Sequence, residues 1–514
     1  MAGAIVGVKR GEWGEAMRIL RSMLMALAVL WSLAAAPARA DDAVELRIMI
    51  FNVWLGGEQV NIERVFDAIG AADADIVLLQ EPEGQTRRFA RALGYAYASE
   101  RRHIISRYPL FDPPTSDADF AFAEIRPGRF VAVADIHLTS DPYGPYAVRD
   151  GKSADEVLKL EQDTRMPDIA PYIAALPPLA ATGVPVFIGG DFNAPSHLDW
   201  TAAAVAARPA LRFPLEWPVS KALADAGFRD SYRETHPDPV ANPGITWTSG
   251  YPVPHRDANE MIDRIDQIYA LGNATTVASK IVGESGGPDI DIGITPWPSD
   301  HHAVVSTFKA VPGPAPAMVS LDRRAVTAGE PLLVRFHAAD SEDGRIEGGK
   351  VAIVAAGGDA AKPLMSAPTN DGTDRRSVMT FGSVLLKPGA YDAALLNADG
   401  KELARAPFWI EAPGAAPTVS VDHPSYGDTE KIVASWKNAP GNRRDWLGIY
   451  KAGDPDQMNY IAFVYTNAAI EGTVTFDDSV IGKALEAGDY EMRLMQDDAY
   501  LVLATTPFSV SQSP

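Results

Sequence analysis

The chain has 514 residues, of which 46% are hydrophobic and 22% are charged, and its formal net charge is −21. This length exceeds what one hydrophobic core usually supports, so we expect several ordered domains. The acidic balance argues against broad, non-specific binding to nucleic acid or anionic membranes, although a local basic rim or bound cations would still admit a nucleic-acid substrate. Cysteine is absent, which excludes disulfides and thiolate sites and leaves oxygen and imidazole groups as metal ligands.

Residues 1–40 have the composition of a secretory signal peptide. Four basic residues precede the apolar run Met23–Ala36, and the small residues Ala38–Ala40 follow it. We therefore expect cleavage near Ala40 and a periplasmic or secreted protein whose mature form has no transmembrane segment. The apolar run is short for a membrane span, and an uncleaved anchor is the alternative. Either Met1 or Met17 could be the true start.

Residues 41–311 alternate strand-like apolar runs with helix-like segments. The run "IMIFN" ends at Asn52 and "VLLQE" ends at Glu81, whereas residues 61–72 repeat apolar side chains at a helical spacing. This alternation predicts an α/β catalytic domain with many strands.

Most of the predicted strands in this region end in a polar side chain that could bind a metal or transfer a proton. These residues are Asn52, Glu81, His137, Asp191, Asn193, Asp266, Asp300 and His301. Taken singly, each could cap a turn or form an ion pair. Together they indicate a site at one rim of a sheet, because charged groups buried only for packing would need partners.

The order of several motifs resembles the endonuclease/exonuclease/phosphatase superfamily. The motifs are "FNVW", "LLQE", "SRYP", "IHLTS", "GGDFNAPS", "TWTSG", "RIDQIY" and "SDHHAV". That superfamily includes secreted deoxyribonucleases, apurinic-site endonucleases, neutral sphingomyelinases and inositol-polyphosphate phosphatases. The resemblance implies a four-layer α/β sandwich of two mostly antiparallel sheets flanked by helices.

The same resemblance implies a metal site in this region. Glu81 is similar to the family's main metal-ligating carboxylate, with Asn52 beside it and Asp300 as a further carboxylate. Oxygen donors of this kind favour Mg²⁺, with Mn²⁺ or Ca²⁺ as alternatives.

Five further residues match catalytic positions of the family. His301 resembles the catalytic histidine, and Asp266 resembles the carboxylate that orients it. Asp191 and Asn193 resemble the pair that positions the attacking water and the phosphoryl oxygens. His137 resembles a second histidine that the deoxyribonuclease and sphingomyelinase branches have and the apurinic endonucleases lack.

His302 stands where close relatives are expected to have arginine, and strand alternation predicts that it faces away from the site.

Loops beyond the predicted strands supply aromatic and basic residues for substrate binding. We expect Tyr143, Tyr146 and Trp247 to contact a nucleobase, a sugar ring or a lipid headgroup. A separate group of arginine side chains predicts either a phosphate-attracting rim or a solvated helix face. These cations are Arg87, Arg88, Arg91, Arg101, Arg102 and Arg107.

The remainder of the chain contains two related segments, residues 312–413 and 414–514. "VSLD" in the first recurs as "VSVD" in the second, and both follow Pro/Ala/Gly-rich linkers. Short alternating apolar runs separated by turn residues predict two all-β, immunoglobulin-like sandwiches. Their role could be spacing or ligand binding.

These features predict an exported, metal-dependent phosphoesterase, foremost a phosphodiesterase that hydrolyses a phosphate ester by metal- and histidine-assisted attack of water. Its substrate would be nucleic acid, a phospholipid headgroup or a small diester, and no obligate protein partner is evident. The alternatives within the enzyme class are an extracellular nuclease and a sphingomyelinase-type phospholipase. The alternative outside it is an inactive family member that serves as a surface-binding module.

Overall fold

The computed structural model describes residues 43–114, 116–339, 346–369, 377–442, 444–497 and 500–511. The predicted signal peptide and both candidate start residues lie outside these ranges. Among the described residues, no helix is long and apolar enough to cross a membrane.

The first sheet of the catalytic region has seven strands in the order β12-β11-β13-β1-β2-β4-β3. Its strands are β1 (Val44–Asn52), β2 (Ile76–Gln80), β3 (Tyr97–Ser99), β4 (Ile104–Ser106), β11 (Ala274–Glu284), β12 (Ile290–Ile294) and β13 (Ala303–Ala310). Every residue of β2 is buried, as is typical of a central strand covered on both faces. Strand β1 pairs parallel to β2 and antiparallel to β13, and the β1–β2 register places Asn52 beside Gln80.

The second sheet has six strands in the order β5-β6-β7-β8-β10-β9. Its strands are β5 (Leu110–Phe111), β6 (Ala121–Arg126), β7 (Arg129–His137), β8 (Val186–Asp191), β9 (Arg229–Asp230) and β10 (Asp266–Leu271). Strands β7 and β8 are parallel and pair His137 with Asp191, whereas β10 runs antiparallel to β8 and pairs Asp266 with Asp191. Three predicted site residues therefore meet at one edge of this sheet.

Eight helices connect or cover the strands of the catalytic region. They are α1 (Ile62–Ala72), α2 (Thr86–Leu93), α3 (Gly144–Arg149), α4 (Ala154–Asp163), α5 (Arg165–Ala181), α6 (Ala202–Ala207), α7 (Pro218–Asp225) and α8 (Ser231–Thr235). Helix α1 begins where the Asn61 side chain accepts a hydrogen bond from the backbone N–H of Glu63, and it ends at Asp73 in the left-handed conformation.

Three apolar clusters separate four layers. Leu46 and Ile48 of the first sheet pack with Val133 and Phe187 of the second, and this cluster fills the space between the sheets. A second cluster joins the first sheet to α1 and α2, and a third joins the second sheet to α5 and α7. The predicted four-layer α/β sandwich is confirmed.

Two β-sandwiches follow, each made of a three-stranded and a five-stranded sheet. The first contains β14 (Met318–Leu321), β15 (Ala325–Thr327), β16 (Pro331–His337), β17 (Lys350–Ala355), β18 (Met365–Pro368), β19 (Val378–Gly382), β20 (Gly389–Leu396) and β21 (Glu402–Glu411). The second contains β22 (Thr418–Val421), β23 (Ser425–Gly427), β24 (Ile432–Lys437), β25 (Trp446–Lys451), β26 (Ala462–Tyr465), β27 (Gly472–Phe476), helix α9 (Asp478–Ile481), β28 (Gly488–Met495) and β29 (Val502–Ser511).

The two sandwiches have the same topology. Their sheets are ordered β14-β16-β19 with β15-β21-β20-β17-β18, and β22-β24-β27 with β23-β29-β28-β25-β26. Each strand of the second sandwich thus has a counterpart eight strands earlier, as the sequence repeat predicts. The two all-β domains are confirmed, whereas their kinship to immunoglobulin domains and the predicted domain boundaries stay predictions.

The first sandwich is joined to the catalytic domain by a packed linker. Phe130 of β7 forms an isolated antiparallel bridge with Gly313, and its ring lies 4.6 Å from that of His337. Ala315 and Met318 belong to the apolar cluster that packs between the second sheet and α5. The linker therefore completes the core of the catalytic domain.

Candidate active site

The carboxylate of Glu81 is held by two donors from the segment that follows β1. The Asn52 side-chain amide donates to Glu81 Oε1 at 2.9 Å, and the backbone N–H of Leu55 donates to Glu81 Oε2 at 2.9 Å. Glu81 has a φ of +57°, in the left-handed region that side chains other than glycine seldom adopt. Such a conformation costs free energy, so its occurrence at the rim of the sheet is typical of a functional residue.

Asp191 lies where β7 and β8 approach each other most closely. Gly190 has a φ of +144°, and a Cβ atom built on it would lie 1.9 Å from the carbonyl oxygen of Ile136. Only glycine fits between the two strands, which explains the second glycine of "GGDFN". This close approach brings His137 Nε2 to 3.8 Å from Asp191 Oδ2.

Asn193 follows Asp191 in a turn that fixes both side chains. Its backbone N–H donates to Asp191 Oδ1 at 2.8 Å, and its Nδ2 donates to the carbonyl of Leu138 at 3.0 Å. The residue has a φ of +47°, which asparagine tolerates better than most residues. The turn therefore holds the Asp191 carboxylate from one side and leaves Oδ2 facing the cleft.

His301 lies between two buried carboxylates. Its Nδ1 lies 2.9 Å from Asp266 Oδ2, and its Nε2 lies 3.6 Å from Asp191 Oδ2. The Asp266 backbone is itself fixed, because its N–H donates to Thr246 Oγ1 at 3.0 Å. Burial opposes the charge on His301, but Asp266 and then Asp191 raise its pKa well above the usual range. The two carboxylates therefore favour the charged form of His301.

Asp300 is a second buried carboxylate on the Glu81 side of the site. Only 6% of the residue is exposed. Burial, together with the negative charge of Glu81, raises the pKa of Asp300 to about 7, while His301 opposes the shift. Ser299 Oγ lies 3.4 Å from Asp300 Oδ1. The negative charges of Glu81 and Asp300 repel each other, and their oxygen atoms form a donor set suited to a hard divalent cation.

The amide of Asn52 is oriented toward the carboxylates. Its Nδ2 lies 2.9 Å from Glu81 Oε1 and 3.2 Å from Asp191 Oδ2, whereas its Oδ1 accepts from the backbone N–H of Trp54. In this orientation Asn52 links the predicted metal-binding residue to the predicted catalytic residue. Rotation of the amide by half a turn would present its oxygen instead.

A second group of residues could also hold a cation. Among the described residues, Asp191, Asp266 and His301 place one ligand atom each within 4.8 Å of one another. The nitrogen that faces Asp266 is already engaged in the 2.9 Å contact, so a cation there would have to replace the histidine–carboxylate pair. The trio is therefore a second group of potential cation ligands beside the Glu81 and Asp300 carboxylates.

His302 lies on the opposite face of the chain from His301. Its Nδ1 lies 3.0 Å from the carbonyl oxygen of Ile245, and its ring packs against Trp297. Burial lowers the pKa of His302 to about 4, a shift opposite in direction to that of His301.

The predicted substrate-binding aromatics occupy two different environments. Trp247 is half-buried, and its ring lies 4.8 Å from the ring of His301 and 5.2 Å from that of Tyr251. Tyr146 is also half-buried and donates to Glu260 Oε1 at 2.7 Å. Tyr143 is only 6% exposed and packs beneath Tyr146, so its position suits support of Tyr146 better than direct contact with a ligand.

The second sandwich contacts the strands that carry the site. The sequence motifs do not indicate this contact. Asp497 Oδ2 lies 2.6 Å from His103 Nε2, and His103 Nδ1 lies 3.9 Å from Asp135 Oδ2 on β7. Gln80 Nε2 donates to Asp135 Oδ1 at 2.5 Å. His103 and Asp497 are separated by 394 residues, so no local pattern could have paired them.

A further contact lies two residues from Glu81. The backbone N–H of Tyr500 in the second sandwich donates to Glu83 Oε2 at 2.9 Å. Arg444 of the same sandwich lies 3.5 Å from the carbonyl oxygen of His137. The second sandwich thus contacts the loops and strands on both sides of the predicted site.

Comparison with known proteins agrees with this architecture. Residues 49–301 match the model of the Endonuclease/Exonuclease/phosphatase family. A Caenorhabditis elegans relative, uncharacterized protein F14F9.5, is 31% identical over 295 residues, which make up 51% of this chain and 91% of the relative.

Two solved structures are similar to this chain. An endonuclease/exonuclease/phosphatase protein from Beutenbergia cavernae is 17% identical with a TM-score of 0.33, and the match covers 71% of this chain and 99% of that one. TDP2 from Caenorhabditis elegans is 18% identical with a TM-score of 0.35, and the match covers 60% of this chain and 96% of that one.

The family match spans the strands that carry Asn52, Glu81, Asp191, Asp266 and His301. Members of this family are generally phosphoesterases or nucleases and typically depend on divalent metal ions. On the family match and the extent of the 31% identical relative, this chain belongs to the endonuclease/exonuclease/phosphatase family.

Proposed function

We propose that the protein is an exported, metal-dependent phosphoesterase, foremost a phosphodiesterase, that cleaves its substrate by attack of water on phosphorus. The observation that carries the proposal is the placement of His301 between Asp266 at 2.9 Å and Asp191 at 3.6 Å, at the rim of the sheet.

The His301 imidazolium would act on the phosphoryl group. Asp266 occupies Nδ1 and fixes the ring orientation, which leaves the Nε2 proton directed toward the cleft. A charged donor at this position stabilises the negative charge that develops on a phosphoryl oxygen in the transition state. Phosphoryl transfer depends mainly on such positioning and charge stabilisation.

Asp191 would orient the attacking water and accept its proton. Its Oδ1 accepts from the Asn193 backbone, and its Oδ2 lies near His301, His137 and Asn52. Burial, with a contribution from nearby Asp266, raises the pKa of Asp191 above its usual value. A carboxylate with a raised pKa is a stronger base, as proton removal from water requires.

The metal would be held by Glu81 and Asp300, with Asn52 beside them. These side chains offer oxygen ligands, and Asp300 is buried close to a like charge that a cation would neutralise. A bound divalent ion supplies Lewis-acid stabilisation of the phosphoryl and leaving oxygens. Mg²⁺ fits this donor set, and Mn²⁺ and Ca²⁺ are the alternatives.

The rim of the site suits a substrate with a planar or apolar group beside the phosphate. Trp247 and Tyr251 form an aromatic wall next to His301, and Tyr146 carries the Arg149 guanidinium 4.2 Å from its ring centroid. Both a nucleic acid and a phospholipid headgroup could bind here. A surface-binding role without catalysis is disfavoured, because the His301–Asp266 pair is intact.

An activity panel on the full mature chain tests the proposal. The substrates are bis(p-nitrophenyl) phosphate, single- and double-stranded DNA, RNA, sphingomyelin and phosphoinositides, each assayed with Mg²⁺, Mn²⁺, Ca²⁺ or EDTA. We expect hydrolysis that EDTA abolishes and a divalent ion restores. Full activity after exhaustive chelation, or inactivity toward all phosphate esters, would reject it.

A matched pair of variants tests the metal assignment. Glu81→Gln should lower turnover by roughly 100-fold or more and weaken Mg²⁺ binding in calorimetry, because it removes a charged ligand. Glu63→Gln, which removes the same charge from the surface of α1, should leave both unchanged. Equal Mg²⁺ affinity in Glu81→Gln and wild type would place the metal elsewhere.

Export is tested separately. Expression of the full-length chain in a Gram-negative host should yield a periplasmic protein whose N-terminus, read by mass spectrometry, lies near Asp41. An uncleaved product in the membrane fraction would instead support an anchor.

A further inference from the structure

A cavity of ≈360 Å³ lies where the catalytic domain meets both sandwiches. Arg101 and Arg102 line it from the catalytic domain, Arg323 and Arg324 from the first sandwich, and Gln496 from the second. It shares no residue with the Glu81–His301 site. Its volume is within the range of small-molecule sites, and its position between three domains is a common place for one.

The walls of this cavity carry an excess of positive charge in an acidic protein. Six arginines and four carboxylates line it, whereas the whole chain has a formal net charge of −21. The carboxylates are Glu100, Asp112, Asp322 and Glu411. An anion is favoured here wherever a guanidinium group is not already neutralised by a neighbouring carboxylate.

Several of these arginines already have protein partners. Arg102 contacts Asp112 and lies 2.8 Å from Asp119, which is also 3.6 Å from Arg101. On the first sandwich, Arg323 pairs with Glu330 at 2.9 Å. These pairs fix the guanidinium groups in place, so the cavity has a preformed shape.

Arg324 differs from its neighbours. Within the part of the chain that the structure describes, its side chain has neither a hydrogen bond nor an ion pair. Burial, and then the charge of Arg101, lower the pKa of Arg324, while Asp112 only partly compensates. A guanidinium stays protonated at any physiological pH, and Arg324 is half-buried at the cavity wall, so its charge is available to a ligand that enters the cavity.

We propose that this cavity is a second ligand site that binds a small phosphate-bearing anion through Arg324, with Arg101 completing the charge. Phosphate matches the planar donor fork of arginine and carries enough charge to engage more than one guanidinium. Held by Arg324 and Arg101, the ligand would link the first sandwich to the catalytic domain and so stabilise their arrangement. Inorganic phosphate and an organic phosphate monoester share this chemistry. The inference does not depend on the proposed phosphoesterase activity.

Thermal unfolding of the full mature chain tests the proposal in the presence of EDTA. The probes are inorganic phosphate, glycerol 3-phosphate and, as an uncharged control, glycerol. The wild-type midpoint should rise with either phosphate and not with glycerol. A monoester that binds at least tenfold more tightly than inorganic phosphate identifies an organic ligand, and equal affinity identifies free phosphate.

Arg324→Gln supplies the decisive comparison. Because Arg324 has no partner among the described residues, the variant should unfold at the wild-type midpoint or above it without ligand. Its affinity for phosphate should fall at least tenfold. Arg129→Gln, which removes an exposed arginine from β7, should bind as wild type does.

Arg324→Lys keeps the positive charge but loses the planar pair of guanidinium donors, so the variant should bind phosphate with an affinity between those of the wild type and Arg324→Gln. This variant also serves if Arg324→Gln folds poorly. Phosphate that stabilises Arg324→Gln with wild-type affinity, or that fails to stabilise the wild type at millimolar concentration, overturns the proposal.

Discussion

Two histidines of this protein each face two aspartates but lie in different regions; His301 is buried and His103 is half-buried. In the cleft, His301 Nδ1 lies 2.9 Å from Asp266. At the junction with the second sandwich, His103 Nε2 lies 2.6 Å from Asp497. Both have their pKa raised by these partners against the effect of burial. The histidine–aspartate pair alone therefore does not indicate catalysis.

The difference lies in what faces the second ring nitrogen. His301 Nε2 lies near Asp191 and Asn52, beside the open aromatic wall of Trp247. His103 Nδ1 faces Asp135, which is itself bound to Gln80, so this network is closed within the protein. We propose proton transfer for His301, beside the aromatic wall, and a fastening role for His103, whose two carboxylate partners belong to different domains.

The largest expected effect distinguishes the roles of the two histidines by comparing turnover with stability. His301→Ala should lower turnover by roughly two to four decades, the usual span for a positioned acid or base, and should also cost stability because the buried Asp266 and Asp191 lose their partner. His103→Ala should instead lower the free energy of unfolding more than it lowers turnover. Measurement of turnover and urea unfolding for both variants decides this. The reverse pattern would mean that the roles are exchanged.

A second experiment tests whether Asp266 and His301 act together. Asp266→Asn keeps the shape of the side chain but removes the charge that faces His301 Nδ1, so turnover should fall by roughly 10²- to 10³-fold. If the two residues act as a unit, the double variant with His301→Ala should be no slower than His301→Ala alone. Additive losses in the double variant would show that Asp266 and His301 act separately.

The His103–Asp497 contact at the junction with the second sandwich predicts that the stability of the protein depends on pH. Burial alone would lower the pKa of His103, but Asp497 and Asp135 raise it to about 9, while Arg444 opposes them. Because the folded pKa lies above the unfolded value of about 6.5, the stabilisation is complete below that pH and is lost as pH rises toward 9. Its full size is about 3 kcal/mol.

Asp497→Asn should remove most of this dependence. The wild type should lose free energy of unfolding between pH 6.5 and 9, and the variant should be less stable at pH 6 and show a shallower slope across the same interval, to which His301 and the remaining His103–Asp135 pair still contribute. Urea unfolding at five pH values measures both. A slope that is equal in the two proteins would show that another group titrates.

The smallest effect concerns the neighbour of the catalytic histidine. His302 is neutral and contacts the Ile245 carbonyl and Trp297 on the far side of the chain. His302→Ala should therefore change turnover by less than about threefold while lowering stability by roughly 1–3 kcal/mol. A crippled His302→Ala enzyme with an active His301→Ala enzyme would show that the site faces the other way.

Local patterns predicted the α/β alternation and the strand-end residues, whereas the four-layer arrangement was predicted from the resemblance to the family. Alternating apolar runs located the strands, and the polar residues at their ends became neighbours once parallel β7 and β8 aligned His137 with Asp191. The repeat at residues 312–514 likewise predicted two equivalent sandwiches. Local spacing is enough for these features, since each is read within one element or its copy.

Other features depend on side-chain packing between distant elements and could not be predicted. Tyr143 is buried beneath Tyr146, although composition alone favours an aromatic loop residue for ligand contact. The Asn52 amide nitrogen faces Glu81, an orientation that no sequence motif records. The arginines predicted as a rim or a helix face are divided, so that Arg101 and Arg102 line the cavity whereas Arg107 pairs with Asp73.

The hydrogen bond from Tyr500 to Glu83 also bears on the order in which the enzyme matures during synthesis. The two residues are 417 positions apart, so the loop next to Glu81 emerges from the ribosome long before its partner does. Domains generally fold as units in the order in which they are made. The sheets of the first domain can therefore form early, but the loop next to Glu81 gains its contact with Tyr500 only when the second sandwich has folded against it. Nascent chains stalled before the second sandwich would thus carry the complete set of catalytic residues without their final support.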